Sequence, residues 1–220
     1  MNRTCDIAVL GGGTHGRVVV ATIRLIQPLW KVVILDPDPA RQGQEIFGAT
    51  VLGGDDWFEN LLGPGNRVPF AVGVGGIEDL SLRKRVYDYA ISRGGLPMQV
   101  VHPSASVSPF AILQEGAQIF PSAVVNPGAV VGRNAIINTA AIVEHDCLIG
   151  AHAHVATNAT LCGSVHVGEM AFLGAGSVVR QGLSVGAGAL VAAGAVVVRD
   201  VEPGAVVAGV RARRLSGARA

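Results

Sequence analysis

From Val101 to Val197 every sixth residue is aliphatic, seventeen positions in unbroken register. Four residues after each stands a small or apolar residue: alanine at twelve of the seventeen, with Cys147, Val165, Ser177, Leu183 and Val201 as the exceptions. A period of six matches neither the 3.6 of a helix nor the alternation of a long strand, but it suits short strands separated by corners, three to a coil of about 18 residues. The position three after each aliphatic residue is often Gly, Asn or Asp, including Gly116, Asn134, Asp146, Asn158, Gly176 and Asp200. These are the residues that best tolerate the positive φ of a tight corner. The repeat predicts a parallel β-helix of nearly six coils, roughly 27 Å tall at about 4.8 Å per coil. Its interior has to be filled by small aliphatics, in keeping with an aromatic content of 5% and 30 glycines in 220 residues.

Composition removes several classes of function. A chain that is 50% hydrophobic is not disordered. A net charge of +1 with 15% charged residues gives no field for gathering nucleic acid or an anionic membrane. Cys5, Cys147 and Cys162 make neither a disulfide framework nor a CxxC metal spacing, so a reducing cytoplasm is expected. The first residues lack the cationic start and apolar run of a signal peptide, so export is not expected. The longest apolar stretch, residues 189–198, is broken by Gly194 and is too short to span a bilayer, which takes about 18 residues or more.

Residues 1–98 read as a separate α/β unit of Rossmann-like character. Ile7–Leu10, Val32–Leu35 and residues 70–74 are buried-strand candidates; residues 17–26 and 80–92 are helical, the second with Leu82, Val86, Tyr89 and Ala90 on one side. Residues 97–103 form the junction, residues 99–203 the β-helix, and residues 204–220 a tail containing Arg211, Arg213 and Arg214. Between the first strand and helix, Gly11, Gly13 and Gly16 make a G-x-G-x-x-G turn, a context in which backbone N–H groups can receive a phosphate. Asp36 closes the next strand, where a carboxylate can reach a ribose hydroxyl. Fewer than 100 residues precede the repeats, enough for half of a dinucleotide fold, so a mononucleotide or nucleotide sugar is the better guest. A glycine turn that merely packs strand on helix is the competing reading.

His145 sits two residues past an aliphatic position, at a coil edge where packing does not select imidazole. An unperturbed imidazole, with a pKa near ~6.5, can take a proton at neutral pH, and a neighbouring carboxylate, Asp146 or Glu144, can fix its tautomer. Asp146 also occupies the corner position, where Asp is common on conformational grounds alone. His152, His154 and His166 raise a zinc alternative of the γ carbonic anhydrase kind, but no two histidines stand five apart as that pattern requires. His102, Met170 and Phe172 read as structural, and Trp30 and Trp57 carry no assignable role.

Together the glycine turn with His15, the Val143–Gly150 segment containing EHDCLIG, the run CGSVHVG at 162–168, AFLG at 171–174 and AGVRAR at 208–213 resemble bacterial nucleotide-sugar N-acetyltransferases of the bacillosamine and perosamine type. The related sialic acid O-acetyltransferases share these features. The resemblance implies a left-handed coil and a homotrimer whose active sites lie between neighbouring β-helices. It also implies acetyl-CoA along the prism, no metal, and the sugar nucleotide on the N-terminal domain. It makes His145 the general base, Asp146 its orienting partner and the Gly163 N–H the oxyanion donor. Asn138 and His154 fall near the acetyl group and CoA arm, Ala175, Ala193 and Arg213 along CoA, and Gly11, Gly13, His15 and Asp36 on the nucleotide-sugar side. Arg211 departs from a usual proline and Ala193 from a frequent glycine. The implied reaction is direct acetyl transfer to the 4-amino group of a UDP- or GDP-linked amino sugar. The alternatives are O-acetylation of a sialic acid or other sugar, a γ-type carbonic anhydrase, and a noncatalytic sugar-nucleotide scaffold. A ping-pong route through Cys147 or Cys162 is disfavoured, because Cys147 fills an inward small-residue slot.

Overall fold

The computed structural model describes residues 5–62, 67–77 and 79–210, apart from the side chains of Asp55 and Leu62. The N-terminal unit runs β1 (Ile7–Leu10), α1 (Thr14–Ile26), β2 (Val32–Leu35), β3 (Glu45–Ile46), β4 (Ala49–Val51), α2 (Asp55–Leu62), β5 (Pro69–Val72), α3 (Ser81–Ser92) and β6 (Leu96–Pro97). The strands form one sheet in the order β3-β4-β2-β1-β5-β6, parallel except for the β3–β4 pair. β1 and β2 are buried along their whole lengths because both sheet faces are covered. Ile7, Val9, Val32 and Ile34 face α1 and the prism; Ala8, Leu10, Val33 and Leu35 face the side of α2 and α3. Chain order reverses across β1, between β2 and β5, and in open α/β sheets ligands bind outside the strand ends at such a point.

On α3 the expected face is corrected. The residues buried in the core are Arg83, Tyr87 and Ala90, while Leu82 is 50% exposed and Val86 and Tyr89 are half-buried. An apolar stripe on a helix reads as a core face, but here it lines a cleft and a guanidinium takes the core position.

The prism opens with β7 (Val100–Val101) and stacks two-residue strands into three sheets of seven, six and five. Partners lie eighteen residues apart, as in Gln118↔Ile136, Val124↔Ile142 and Val130↔Leu148. The repeated aliphatic and small residues make one continuous core, with nearly every alanine fully buried. At every sixth position from Gly116 to Gly194 φ is positive, including eight non-glycines: Ser122, Asn134, Ala140, Asp146, His152, Asn158, Ser164 and Met170. The five that are neither Asn nor Asp each carry a left-handed strain of about 1–2 kcal/mol, which the stacked ladder on either side has to offset.

Two expectations fail at the C-terminal end. Asp200 lacks positive φ, because the last coil is shortened: Val185 bridges to Val201 and Leu190 pairs with Val206, sixteen residues on rather than eighteen. Strand pairing also continues through Val206–Val207, past residue 203, so the start of the expected tail belongs to the prism.

The N-terminal unit docks on the first sheet, where Val100, Phe120 and Ile136 join its core. The second sheet (Ser106–Val107 to Val196–Val197) and the third (Ile112–Leu113 to Ser184–Val185) carry no such cover among the described residues.

Candidate active site

His145 follows the strand Ile142–Val143, at the corner where the chain passes from the second sheet to the third. Its Nδ1 lies 2.9 Å from Asp146 Oδ2, so the N–H donates to the carboxylate and the lone pair is left on Nε2. Two glycines frame this pair. One coil earlier, a Cβ on Gly128 would collide with Asp146 Oδ1; one coil later, a Cβ on Gly163 would stand 2.5 Å from His145 Nε2. The Gly163 N–H meets no hydrogen-bond acceptor among the described residues, while its neighbour Ser164 donates its N–H to the His145 carbonyl. An open proton acceptor and an uncommitted backbone donor thus lie side by side, the pair that acyl transfer uses for base and oxyanion donor. Cys147 Sγ is buried against the Cys162 carbonyl and its thiol pKa is pushed up, first by burial, which disfavours a nucleophilic thiolate.

Asn138 lies at the preceding corner, between the first and second sheets, with Ala175 and Ala193 exposed at the same corner of later coils, in the column of Thr139. Asn138 Oδ1 accepts the Thr139 N–H at 2.8 Å, and its Nδ2 lies 3.2 Å from His154 Nε2. His154 is buried on the first sheet, its Nδ1 is 3.0 Å from the Gly76 carbonyl, and burial pushes its pKa down to about 4. The residues expected at one site therefore fall into two groups on the opposite edges of the second sheet.

In the N-terminal unit the glycine turn has a packing reason. The Gly11 carbonyl lies so close to the Cα atoms of Gly16 and Gly73 that a side chain at either would collide with it, and Gly11 itself has a φ of 110°. Gly13 is different, because a Cβ there would meet nothing. It caps α1, which has no side-chain cap and no acidic residue in its first turn, leaving N–H groups for an anion. Asp36 accepts the N–H of Gly12 at 2.7 Å and of Asp38 at 3.0 Å, while Arg41 donates to the Gly12 carbonyl. Beside them a cleft of about 480 Å³ is lined by Gly11, Asp36, Pro37, Phe58, Leu82, Arg85, Val86 and Tyr89 among others, ample for a nucleoside.

His15 turns away from this cleft. Its Nε2 pairs with Gln118 Oε1 at 2.9 Å, its ring meets Phe120 edge-on, and burial together with Arg83 pushes its pKa down to about 3. Arg213, Arg211 and Arg214 lie outside the described residues. Arg83 and Gln118, which join the two units, carry no signal in the sequence beyond a polar residue in an apolar column.

Residues 6–90 match the family model of the PglD N-terminal domain, and residues 164–199 match the hexapeptide repeat of succinyl-transferase. PerB from Caulobacter crescentus, solved in complex with CoA and GDP-perosamine, is 36% identical with a TM-score of 0.83, over 91% of this chain and 92% of that one. The acetyltransferase domain of PglB from Neisseria gonorrhoeae FA1090, in complex with acetyl coenzyme A, is 35% identical with a TM-score of 0.84, over 92% and 95%. The chain belongs to the nucleotide-sugar N-acetyltransferases of the bacillosamine and perosamine type. In this acetyltransferase the prism is accordingly a left-handed β-helix. WeeI from Acinetobacter baumannii AYE, 22% identical with a TM-score of 0.76 over 92% of this chain and 96% of that one, shares the fold. No curated protein sequence matches at a significant level.

Proposed function

We propose that this acetyltransferase moves the acetyl group of acetyl-CoA directly onto the 4-amino group of a UDP- or GDP-linked amino sugar, as a cytoplasmic homotrimer. The observation that carries the chemistry is the His145 imidazole, oriented by Asp146 with Nε2 beside the free Gly163 N–H. The sugar amine attacks the thioester carbonyl, the C–N bond forms, and the Gly163 N–H meets the charge on the carbonyl oxygen. His145 Nε2 takes the amine proton, the C–S bond breaks, and the proton leaves with the CoA sulfur. Holding both substrates in one cleft removes the cost of a bimolecular encounter. The nucleotide occupies the cleft beside Asp36, with its phosphates toward Gly13 and the start of α1.

The division of the site supports the trimer. His145 and Gly163 lie on one edge of the second sheet, and Asn138, Ala175 and Ala193 on the other. The outward residues of that sheet are Val124, Ile142, Thr160, Val178 and Val196 above Ser106, four aliphatic side chains and two hydroxyls with no charge among them. Three copies turned so that this sheet faces a common axis bring the His145 edge of each against the Asn138 edge of the next, closing a ring of heterologous contacts.

Mixed trimers test this arrangement. His145→Ala and Asn138→Ala subunits, each defective alone, are denatured together and refolded one to one. Random mixing gives each cleft a one-in-two chance of an intact His145 and a one-in-two chance of an intact Asn138, so about a quarter of wild-type thiol release returns. No recovery from mixed trimers would place the whole site within one chain. A thiol-release panel of UDP- and GDP-linked amino sugars identifies the carrier and sugar, and silence across it would overturn N-acetylation.

A further inference from the structure

The N-terminal unit reaches the acetyl-transfer side of the prism through one short loop. Residues 73–76 follow β5 and are held at their start by Arg83, which is fully buried and has no carboxylate partner among the described residues. Its Nη1 donates to the carbonyls of Val72 at 3.3 Å and Val74 at 2.7 Å, and its Nε and Nη2 both donate to the Asn134 carbonyl in the prism. Gln118 adds a bond from its Nε2 to the Val72 carbonyl. The loop ends at the Gly76 carbonyl, facing His154 Nδ1.

A carbonyl can only accept, so His154 carries its proton on Nδ1 and presents a lone pair at Nε2. The far side of the ring agrees independently. Asn138 Oδ1 is committed to the Thr139 N–H, so the group it turns to His154 is its amide NH₂, a donor that requires an acceptor at Nε2. The second hydrogen of that NH₂ has no partner among the described residues. With the opposite tautomer the ring would offer N–H to NH₂. Asn138 would then have to turn over, setting its own NH₂ against the Thr139 N–H and presenting an oxygen where it now presents a donor.

We propose that His154 is a positioning residue: the Gly76 carbonyl of the N-terminal unit fixes its Nδ1–H tautomer, and His154 thereby fixes Asn138 with its amide N–H available to the acetyl-transfer cleft. The nucleotide-binding unit thus sets the hydrogen-bond polarity of the acetyl site, with Arg83 anchoring the loop that does so. The kinetic consequence rests on the acetyltransferase reading; the tautomer does not.

The tautomer is read on the unliganded protein by long-range ¹H–¹⁵N correlation of the His154 ring at neutral pH. The expected pattern has Nδ1 protonated and Nε2 bare, and the reverse pattern overturns the inference whatever the enzyme's activity. Wild-type turnover tests the functional reading separately. In kinetics, His154→Gln keeps an acceptor near the Nε2 position and should retain kcat within about fivefold. His154→Asn and His154→Phe lack it and should lose about 10- to 100-fold in kcat, with KM for acetyl-CoA and sugar nucleotide changed less than about threefold. In an Asn138→Ala background, His154→Phe should cost less than about twofold more, since its effect passes through the missing amide. Full multiplicative loss in that background, or a His154→Gln variant as impaired as His154→Phe, would make His154 a packing residue. A folded His154→Phe protein, verified by its melting transition, keeps the comparison valid.

Discussion

Replacing Gly163 with alanine tests the His145 assignment with a single methyl group. Gly163 has no left-handed φ, and alanine occupies the equivalent corner position at Ala151, Ala175, Ala187 and Ala193, so the backbone accepts it. The added Cβ would stand 2.5 Å from His145 Nε2, 2.6 Å from Cε1 and 3.2 Å from Cδ2. Comfortable contact needs about 3.5 Å, so the ring must recede by about 1 Å. Receding from that methyl group pulls the ring out of the geometry set by its 2.9 Å hydrogen bond to Asp146. A 1 Å misplacement of a reacting group costs about 100-fold, or about 2.7 kcal/mol of transition-state stabilisation. The expected outcome is a kcat about 100-fold lower by thiol release, with KM for acetyl-CoA little changed. Thermal stability should be unchanged or slightly raised, because alanine restricts the unfolded chain. A Gly163→Ala enzyme with near-normal kcat would mean that proton transfer does not occur at His145 Nε2.

His145→Ala should leave a folded trimer with transfer lowered at least ~100-fold, whereas near-normal kcat would remove the imidazole from the reaction. Val178→Asp, placing a charge in the uncharged outward column of the second sheet, should give monomers by sedimentation velocity, and intact trimers would assign the interface to another face. His15, His152 and His154 have pKa values pushed from 6.5 down to about 3, about 4 and about 4, chiefly by desolvation. Folding favours their neutral forms, so stability is full above pH 6.5 and falls by about 1.4 kcal/mol per pH unit for each between pH 6.5 and its folded value, about 6 kcal/mol for the three at pH 5. Denaturant midpoints at pH 7.5 and pH 5 measure the loss, and His154→Phe should remove roughly a third of it; an unchanged midpoint would refute the burial argument.

The prism was legible because its signal is repeated: each coil restates which two residues point inward, and the core follows that pattern from Val101 to Val201. The His145–Asp146 pair was legible for a related reason, since a residue that the repeat does not require stands at a corner next to a carboxylate. What periodicity does not encode is what covers the outside. Arg83 is the clearest case, since it lies on the flank of the apolar stripe of α3, beside Ala90, and yet is fully buried, its charge met by carbonyls of two separate units. Leu82, Val86 and Tyr89 line the cleft beside Asp36, and only Val86 and Tyr89 of the three also pack against the core. The shortened last coil escaped notice because Val201 fits the six-residue pattern even after the pairing has slipped by two.

The same division of labour explains why a corner can hold the proposed base. In each hexapeptide two inward residues build the core and the left-handed corner residue sets the turn, so the residue just before it is free of packing demands. That position holds Pro127, Arg133, Thr139, His145, Ala151 and Gly163 in different coils without changing the ladder around them. A base can be placed there at little cost to folding, and the stacked coils hold its glycine neighbours at fixed height on either side. The limitation is that a convex corner excludes no water and encloses no substrate. With the first sheet taken by the N-terminal unit, a cleft can form only where this corner meets another surface. The second sheet, bounded by both halves of the divided site, is the face on which the proposed trimer would supply it.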